Sequence, residues 1–248
     1  MSKIEWTEKT WNPITGCTEV SEGCKNCYAK SMAGRLKAMG VKKYKNEFDV
    51  TLHHDEIDKP LHWKKPCKIF VCSMGDFFHS DVPPEFIDEL LEVMGTCPQH
   101  TFQILTKRPE NIYDKLYKVT KEFPLRYLGG NDYVENVWIG TTIESSHHLK
   151  RSKWLRGFPA SVKFLSIEPM LSDIDLVSHK THLDVDWVIA GCESGANRRH
   201  ANIDWFRSLR DQCIDAEIPF FLKQMEVDNK VVKMPKLDGQ IWDQYPIK

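Results

Sequence analysis

The sequence contains no run of roughly 18 or more apolar residues, so nothing in it predicts a membrane-spanning helix. Its first residues, MSKIEWTEKTW, lack the apolar core of a secretory signal, and a cytoplasmic protein is expected. It has no internal repeat, no low-complexity tract and no Pro/Gly/Ser-rich linker, which predicts one domain over residues 1–248. Charge of one sign is also missing. With 34 basic against 35 acidic residues the formal net charge is -1, so the molecule as a whole has no field to gather polyanions. Any nucleic-acid contact must therefore be local, at Lys42, Lys43 and Lys45, at Lys64, Lys65 and Lys68, or at Arg198, Arg199 and His200. Eight cysteines without a secretion signal argue against a disulfide framework and for metal-binding or catalytic thiols.

What is present supports one sizeable core, with 41% hydrophobic residues in 248. Short β-rich runs recur at 68–76, 101–109, 136–145, 162–169, 186–195 and 218–224. Helical stretches lie between them. Pro84 opens one that carries Phe86, Ile87, Leu90, Leu91 and Met94 at helical spacing and ends near Gly95. Another follows Asp204, with Trp205, Phe206, Leu209 and Cys213 on one face. Continuously apolar strands alternating with helices predict an α/β fold, a partial or full parallel (β/α) barrel.

Barrels of this kind gather their functional groups where strands end. Here the strand ends carry Ser73 and Asp76, Thr106 and Lys107, Thr142 and Glu144, Ser166 and Glu168, Cys192 and Glu193, and Lys223 and Gln224. A single such residue is often just a cap or turn former. Six polar strand ends together describe the rim of a site.

Cys17, Cys24 and Cys27 form a Cys-x6-Cys-x2-Cys group on a loop, spanning about residues 10–40, that runs into a helix. Structural zinc wants four ligands, and the nearest further donors, His53 and His54, stand well down the chain. Three thiolates on a four-iron cluster leave one iron open, as a catalytic cluster requires. The spacing by itself leaves both metals open. The other five cysteines, Cys67, Cys72, Cys97, Cys192 and Cys213, sit singly among apolar neighbours, as core thiols do.

Asn-Pro-x-x-Gly-Cys followed by Cys-x-x-Cys-Tyr-Ala resembles the cluster loop of radical SAM enzymes, in the branch related to spore photoproduct lyase. From Trp11 to about Gln224 the blocks WNPITGC, VCSMGD, LTKRP, SIEPM, ESG and PFFLKQ resemble the phage three-Cys-motif radical-SAM-like family. The first cysteine gap is three residues longer than the usual Cys-x3-Cys-x2-Cys, and Asn26 stands where an aromatic commonly precedes the last cysteine, with Tyr28 available as a substitute ring.

The resemblance implies a barrel of radical SAM type, a 4Fe-4S cluster on Cys17, Cys24 and Cys27, and S-adenosylmethionine (SAM) as the second cofactor. Reductive cleavage of SAM would give methionine and a 5′-deoxyadenosyl radical that takes a hydrogen atom from substrate. Ser73, Met74, Gly75 and Asp76 are then expected around the methionine ammonium, Lys107 at the carboxylate, and Thr142, Glu144, Ser166 and Glu168 at the ribose. Glu193, Lys223 and Cys192 are the catalytic candidates, Cys192 and Cys72 as hydrogen-atom donors. Arg198, Arg199 and His200 would hold phosphates of a nucleic-acid substrate. The phage setting of the family suggests a modified pyrimidine in DNA, with rearrangement of a glycine-bearing thymidine to an aminoethyl form as the isomerase reaction. An electron donor such as flavodoxin is the implied partner. Two other classes fit the sequence: a radical SAM enzyme for a small metabolite or peptide, and a non-enzymatic zinc-binding phage protein.

Overall fold

The computed structural model describes residues 4–117, 134–176 and 184–247. Its frame is an eight-stranded sheet in the order β1-β4-β5-β6-β7-β8-β9-β10, which is also chain order. The strands are β1 (Lys9–Trp11), β4 (Lys68–Val71), β5 (Thr101–Thr106), β6 (Val134–Thr142), β7 (Ala160–Ile167), β8 (Trp187–Gly191), β9 (Phe220–Val227) and β10 (Lys230–Lys233). All neighbours pair in parallel except β9 with β10. Two-residue strands β2 (Ile14–Thr15) and β3 (Thr51–Leu52) pair with each other, as do β11 (Lys236–Leu237) and β12 (Gln240–Ile241). All six strands expected from the apolar runs are in the sheet. β1 and β10 are its two unjoined edges, so the barrel is the partial form, an open curl.

The helices are α1 (Tyr28–Ala38), α2 (Pro84–Gly95), α3 (Asn111–Tyr117) and α4 (Ile203–Asp215). Pro84 starts α2 where an N–H would have no partner, and Phe86, Ile87, Leu90, Leu91 and Met94 are all buried. α4 begins on Asn202, whose side chain accepts a hydrogen bond from the Asp204 N–H at 3.0 Å. The apolar faces of α2 and α4 share one core with the outer face of the sheet, where Ile69, Val71, Phe102, Ile104, Val188 and Leu222 point. A 3-10 segment, Ser146–Gly157, and helix α3 carry no strong apolar period, and the sequence reading passed over both. Among the described residues no helix is long and apolar enough to cross a membrane.

The other face of the sheet holds a second cluster, made of Trp6, Phe70, Trp138, Phe164, Trp187 and Phe221. Its geometry requires curvature. Trp6 stands 4.7 Å from the Phe70 ring on β4 and 6.2 Å from the Phe164 ring on β7, ring centre to ring centre. In a flat sheet those strands would be about 14 Å apart. Trp187 adds contacts to Trp6, Trp138, Phe221 and Tyr245, so both ends of the chain close the concave side. Gly140 makes room for this packing, because a Cβ there would lie 2.4 Å from the Phe164 ring. Trp6→Ala empties the centre of the plug, and a loss of about 3–5 kcal/mol is expected in equilibrium denaturation.

Candidate active site

Above the aromatic plug lies a cavity of about 420 Å³. Its walls include Cys17, Cys24 and Cys27 from the cysteine loop, then Ser73, Gly75 and Asp76 after β4 and Lys107 and Arg108 after β5. Thr142, Ser166, Glu168, Cys192, Glu193 and Lys223 complete the rim from the ends of β6 to β9, and Tyr28 joins it at the first turn of α1. The floor is apolar, with Trp6, Phe70 and Leu105. Met74, Glu144, Arg198, Arg199 and His200 are not among the lining residues.

The cysteine loop reaches this place through the motif that precedes it. Trp11 is buried and donates its indole N–H to the Glu56 carbonyl at 2.8 Å. Asn12 Oδ1 accepts from the Ser73 hydroxyl and from the Met74 N–H, both at 3.1 Å. Gly16 then bridges Gly75 in parallel register, with φ of 86° and no space for a side chain, since a Cβ would lie 2.2 Å from the Asp49 carbonyl oxygen. The Met74 side chain is buried against Ala29 and Ala33 of α1 and Tyr44, and it is the loop's neighbours Ser73, Gly75 and Asp76 that line the cavity.

Three charged residues then hold the loop itself. Arg108 lies between Cys17 Sγ at 3.1 Å and Asp76 Oδ2 at 3.3 Å, and its other terminal nitrogen donates to the Thr18 carbonyl and hydroxyl at 2.8 and 2.7 Å. Glu144, fully buried, accepts from Ser21 Oγ at 2.5 Å, Lys107 Nζ at 2.9 Å and Arg151 at 2.6 Å. Gly23 packs directly on it, where a Cβ would lie 2.4 Å from Glu144 Cγ. Glu193 accepts from Asn26 Nδ2 at 2.9 Å and from the backbone N–H and guanidinium of Arg199. The sequence reading missed Arg108, Ser21 and Asn26. Only the neighbourhood of Arg108 to Lys107 in TKRP offered a signal for the first.

These contacts show where the other expected site residues lie. Glu144 lies behind the loop with no lining surface, so it does not reach a ribose in the cavity. Arg198 pairs with Glu226 at 3.4 Å and donates to the Asn229 carbonyl, Arg199 is bound to Glu193, and His200 is exposed with Nδ1 3.4 Å from Glu226. None of the three faces the cavity with a phosphate-ready group. Asp76 does line it, but its two oxygens already accept from the Phe78 N–H, the Thr106 hydroxyl, the Lys107 N–H and Arg108. Lys223 is paired with Glu168.

The electrostatics follow from these partners. Burial, then the Asp76 carboxylate, push the Cys17 thiol up to about 11 against the pull of Arg108. Burial also opposes ionisation of Cys24, but Lys107 and hydrogen bonds from its own loop bring that thiol below its ordinary value. Burial works against the Glu144 charge too, and Lys107 with Arg151 more than offsets it, holding the carboxyl below its usual range. Cys192 is buried and pushed up to about 12, first by desolvation and then by Glu168 and Glu226.

All eight cysteines are free thiols. Among the described residues no three His, Cys, Asp or Glu side chains converge closely enough for a single metal ion. A four-iron cluster makes a different demand, because each of its cysteine ligands binds a different iron. The donor set fits such a group. Three thiols border one cavity, with Lys107 Nζ 3.8 Å from Cys24 Sγ and Arg108 at Cys17, cations suited to a thiolate-bound cluster.

Over residues 1–246 the sequence matches a family described as "Protein of unknown function (DUF5131)". The chain belongs to the DUF5131 family. No curated protein matches this DUF5131 chain. Two solved structures are similar to it. One is a spore photoproduct lyase mutant with bound AdoMet and dinucleoside spore photoproduct, at 11% identity and TM-score 0.42, covering 82% of this chain and 60% of that one. The other is spore photoproduct lyase complexed with dinucleoside spore photoproduct, at 11% identity and TM-score 0.42, covering 72% and 54%. The DUF5131 chain thus spans less than two thirds of the length of either.

Removing the Glu144 carboxylate leaves Arg151 as a buried cation, and Lys107 as a partly buried one, without their partner. For Glu144→Ala a loss of about 3–5 kcal/mol is expected in denaturant titration. Hydrogen exchange at residues 16–27 should rise above that of β6 and β7, and uniform protection across the molecule would show that the loop does not depend on this carboxylate.

Proposed function

We propose that this protein is a radical SAM enzyme whose 4Fe-4S cluster is held by Cys17, Cys24 and Cys27, with SAM in the adjoining cavity. One observation carries the reading. The three cysteines of a loop resembling radical SAM enzymes border the same cavity as the polar ends of six parallel strands. Its volume of about 420 Å³ suits a small molecule, and its apolar floor with a few polar groups above has the composition of a cofactor site. When bound, the cluster and SAM together supply a carbon-centred radical able to take a hydrogen atom from substrate.

The chain's own groups have definite tasks in this reading. Lys107 places positive charge at Cys24 and favours the thiolate there, while Arg108 holds Cys17 by a hydrogen bond and only partly offsets the burial and the Asp76 carboxylate that oppose its ionisation. The Tyr28 hydroxyl donates to the Ser73 carbonyl and ties the first turn of α1 to the loop after β4. Thr142 and Ser166 offer hydroxyls to the polar parts of SAM, and Glu168 with Lys223 offers a paired carboxylate and ammonium. The apolar floor of Trp6, Phe70 and Leu105 would keep water away from a reactive group bound above it. Cys192 stays protonated at neutral pH because its thiol is held near 12, so its S–H is intact for return of a hydrogen atom.

We assign the substrate as a modified pyrimidine in DNA, with rearrangement of a glycine-bearing thymidine as the isomerase reaction to test first. A base inside a duplex cannot reach a walled cavity, so the enzyme takes single strands or an extruded nucleotide. Anaerobically purified protein is expected to carry about four irons and four sulfides per chain. Cys17→Ala, Cys24→Ala and Cys27→Ala should each lose them, while Cys97→Ala, far from the cavity, should keep them. Reduced wild type should convert SAM to 5′-deoxyadenosine. DNA bearing 5-(glycinylmethyl)uracil should yield a nucleoside of unchanged mass and new retention. One zinc per chain and no SAM cleavage would leave the zinc-protein reading instead, and turnover of a free small molecule with no change in DNA would move the substrate to a metabolite.

A further inference from the structure

The cations expected to hold a nucleic acid, Arg198 and Arg199, are bound to Glu226 and Glu193. A different part of the molecule carries unused positive charge. Residues 25–45 contain Lys25, Lys30, Arg35, Lys37, Lys42, Lys43 and Lys45 and not one Asp or Glu, in a chain whose overall charge is balanced. Lys30, Lys37 and Lys43 pair with Glu19, Glu47 and Glu56 at 2.9, 3.1 and 3.0 Å. Lys25, Arg35, Lys42 and Lys45 are exposed and make no ion pair among the described residues.

The same segment exposes an unusual stripe. α1 buries Ala29 and Ala33 against the body of the protein. Tyr28, Met32, Arg35 and Met39, spaced i, i+4, i+7 and i+11, share another face. Three of them are large apolar side chains left in solvent, Tyr28 at 50%, Met32 at 41% and Met39 at 76% exposure. The stripe starts at the cavity itself, since Cys27, Tyr28 and Ala29 line it, and Arg35 follows about 10 Å further along the helix axis.

We propose that α1 and the turn after it, through Lys45, form a docking track for a single-stranded nucleic acid that leads into the cavity mouth. Backbone phosphates would lie on Arg35, Lys42 and Lys45, and unstacked bases on the stripe, with Tyr28 as the stacking ring and Met32 and Met39 as apolar contacts beside it; sequence-tolerant single-strand binding combines backbone cations with aromatic stacking in this way. An acidic protein would engage the cations and the stripe alike; what favours a strand of nucleic acid is that the stripe begins at residues lining the cavity, where a single base has to enter. The choice of nucleic acid rests on the substrate assigned above, whereas the docking measured below needs neither SAM nor reductant.

The test uses the full chain, purified anaerobically, and a fluorescein-labelled 15-residue oligothymidylate followed by anisotropy across a salt series. Binding should weaken with salt at a log–log slope of about -2, three track cations at about 0.7 each. Arg35→Glu/Lys42→Glu/Lys45→Glu should lose at least tenfold in affinity and flatten the slope by about 2. Met32→Ala/Met39→Ala should weaken binding severalfold without changing the slope. Lys64→Glu/Lys65→Glu, exposed elsewhere, serves as control and should match wild type. No binding at about 20 mM salt, or an equal loss in the control, would overturn the proposal. Displacement by polyglutamate as effective as by unlabelled DNA at equal charge would overturn it in favour of an acidic protein partner. SAM cleavage by the triple variant should equal that of wild type. A wild type that binds DNA in this pattern but cleaves no SAM would sink the radical chemistry and leave the track standing.

Discussion

The cysteine loop contains little regular structure of its own, so its position depends on charged groups that the strand ends lend it. Arg108 after β5, Glu144 after β6 and Glu193 after β8 grip it at Cys17 and Thr18, at Ser21 and Gly23, and at Asn26. All three are at most 5% exposed, and each is surrounded by partners of opposite charge or by hydrogen-bond donors and acceptors. A charge in such a place is tolerable only with its partners present, because desolvation is repaid by good geometry and by nothing else. The loop and the rim of the sheet therefore stand or fall as one unit. Loss of Arg108 or Glu144 would both free the loop and leave a buried charge, Asp76 or Arg151, short of its partner, whereas loss of Glu193 would free the loop at Asn26 beside the partly exposed Arg199.

The open curl of the sheet creates a second demand, for something to close its concave side. A full barrel fills its interior with layers of its own strand residues. Here β1 and β10 do not meet, and the filling includes residues from outside the sheet, Trp6 before β1 and Tyr245 near the C-terminal end, packed on Phe70, Phe164, Trp187 and Phe221. These rings fill the lower half of the interior. The upper half, where strands end in polar residues, is left as the cavity.

Charge in this protein is balanced overall and unequal locally. Carboxylates and guanidinium groups around β8 and β9 neutralise one another, as Glu193 with Arg199 and Glu226 with Arg198 show. Around α1 the cations outnumber the available partners. A global count of 34 against 35 hides both facts, since a polyanion responds to the potential within about 10 Å of the surface it approaches.

The sequence by itself determined the βα rhythm, the parallel sheet, the helix opened by Pro84 and the gathering of polar strand ends at one rim, because these follow from local periodicity and from a rule that holds for every βα barrel. It also singled out the cysteine loop, whose residue types and spacing are legible without coordinates. Only the tertiary structure decided which polar residues remain available to a ligand. Glu144, Glu193, Asp76 and Arg199 have the same chemistry on paper as Glu168 and Lys223, which line the cavity as a pair, yet their partners lie as much as 167 positions away in the chain. Asn26 meets Glu193, and Ser21 meets Glu144, only because the sheet curls under the loop. Whether a buried charge serves the fold or the site depends on these long-range distances, which no local pattern encodes.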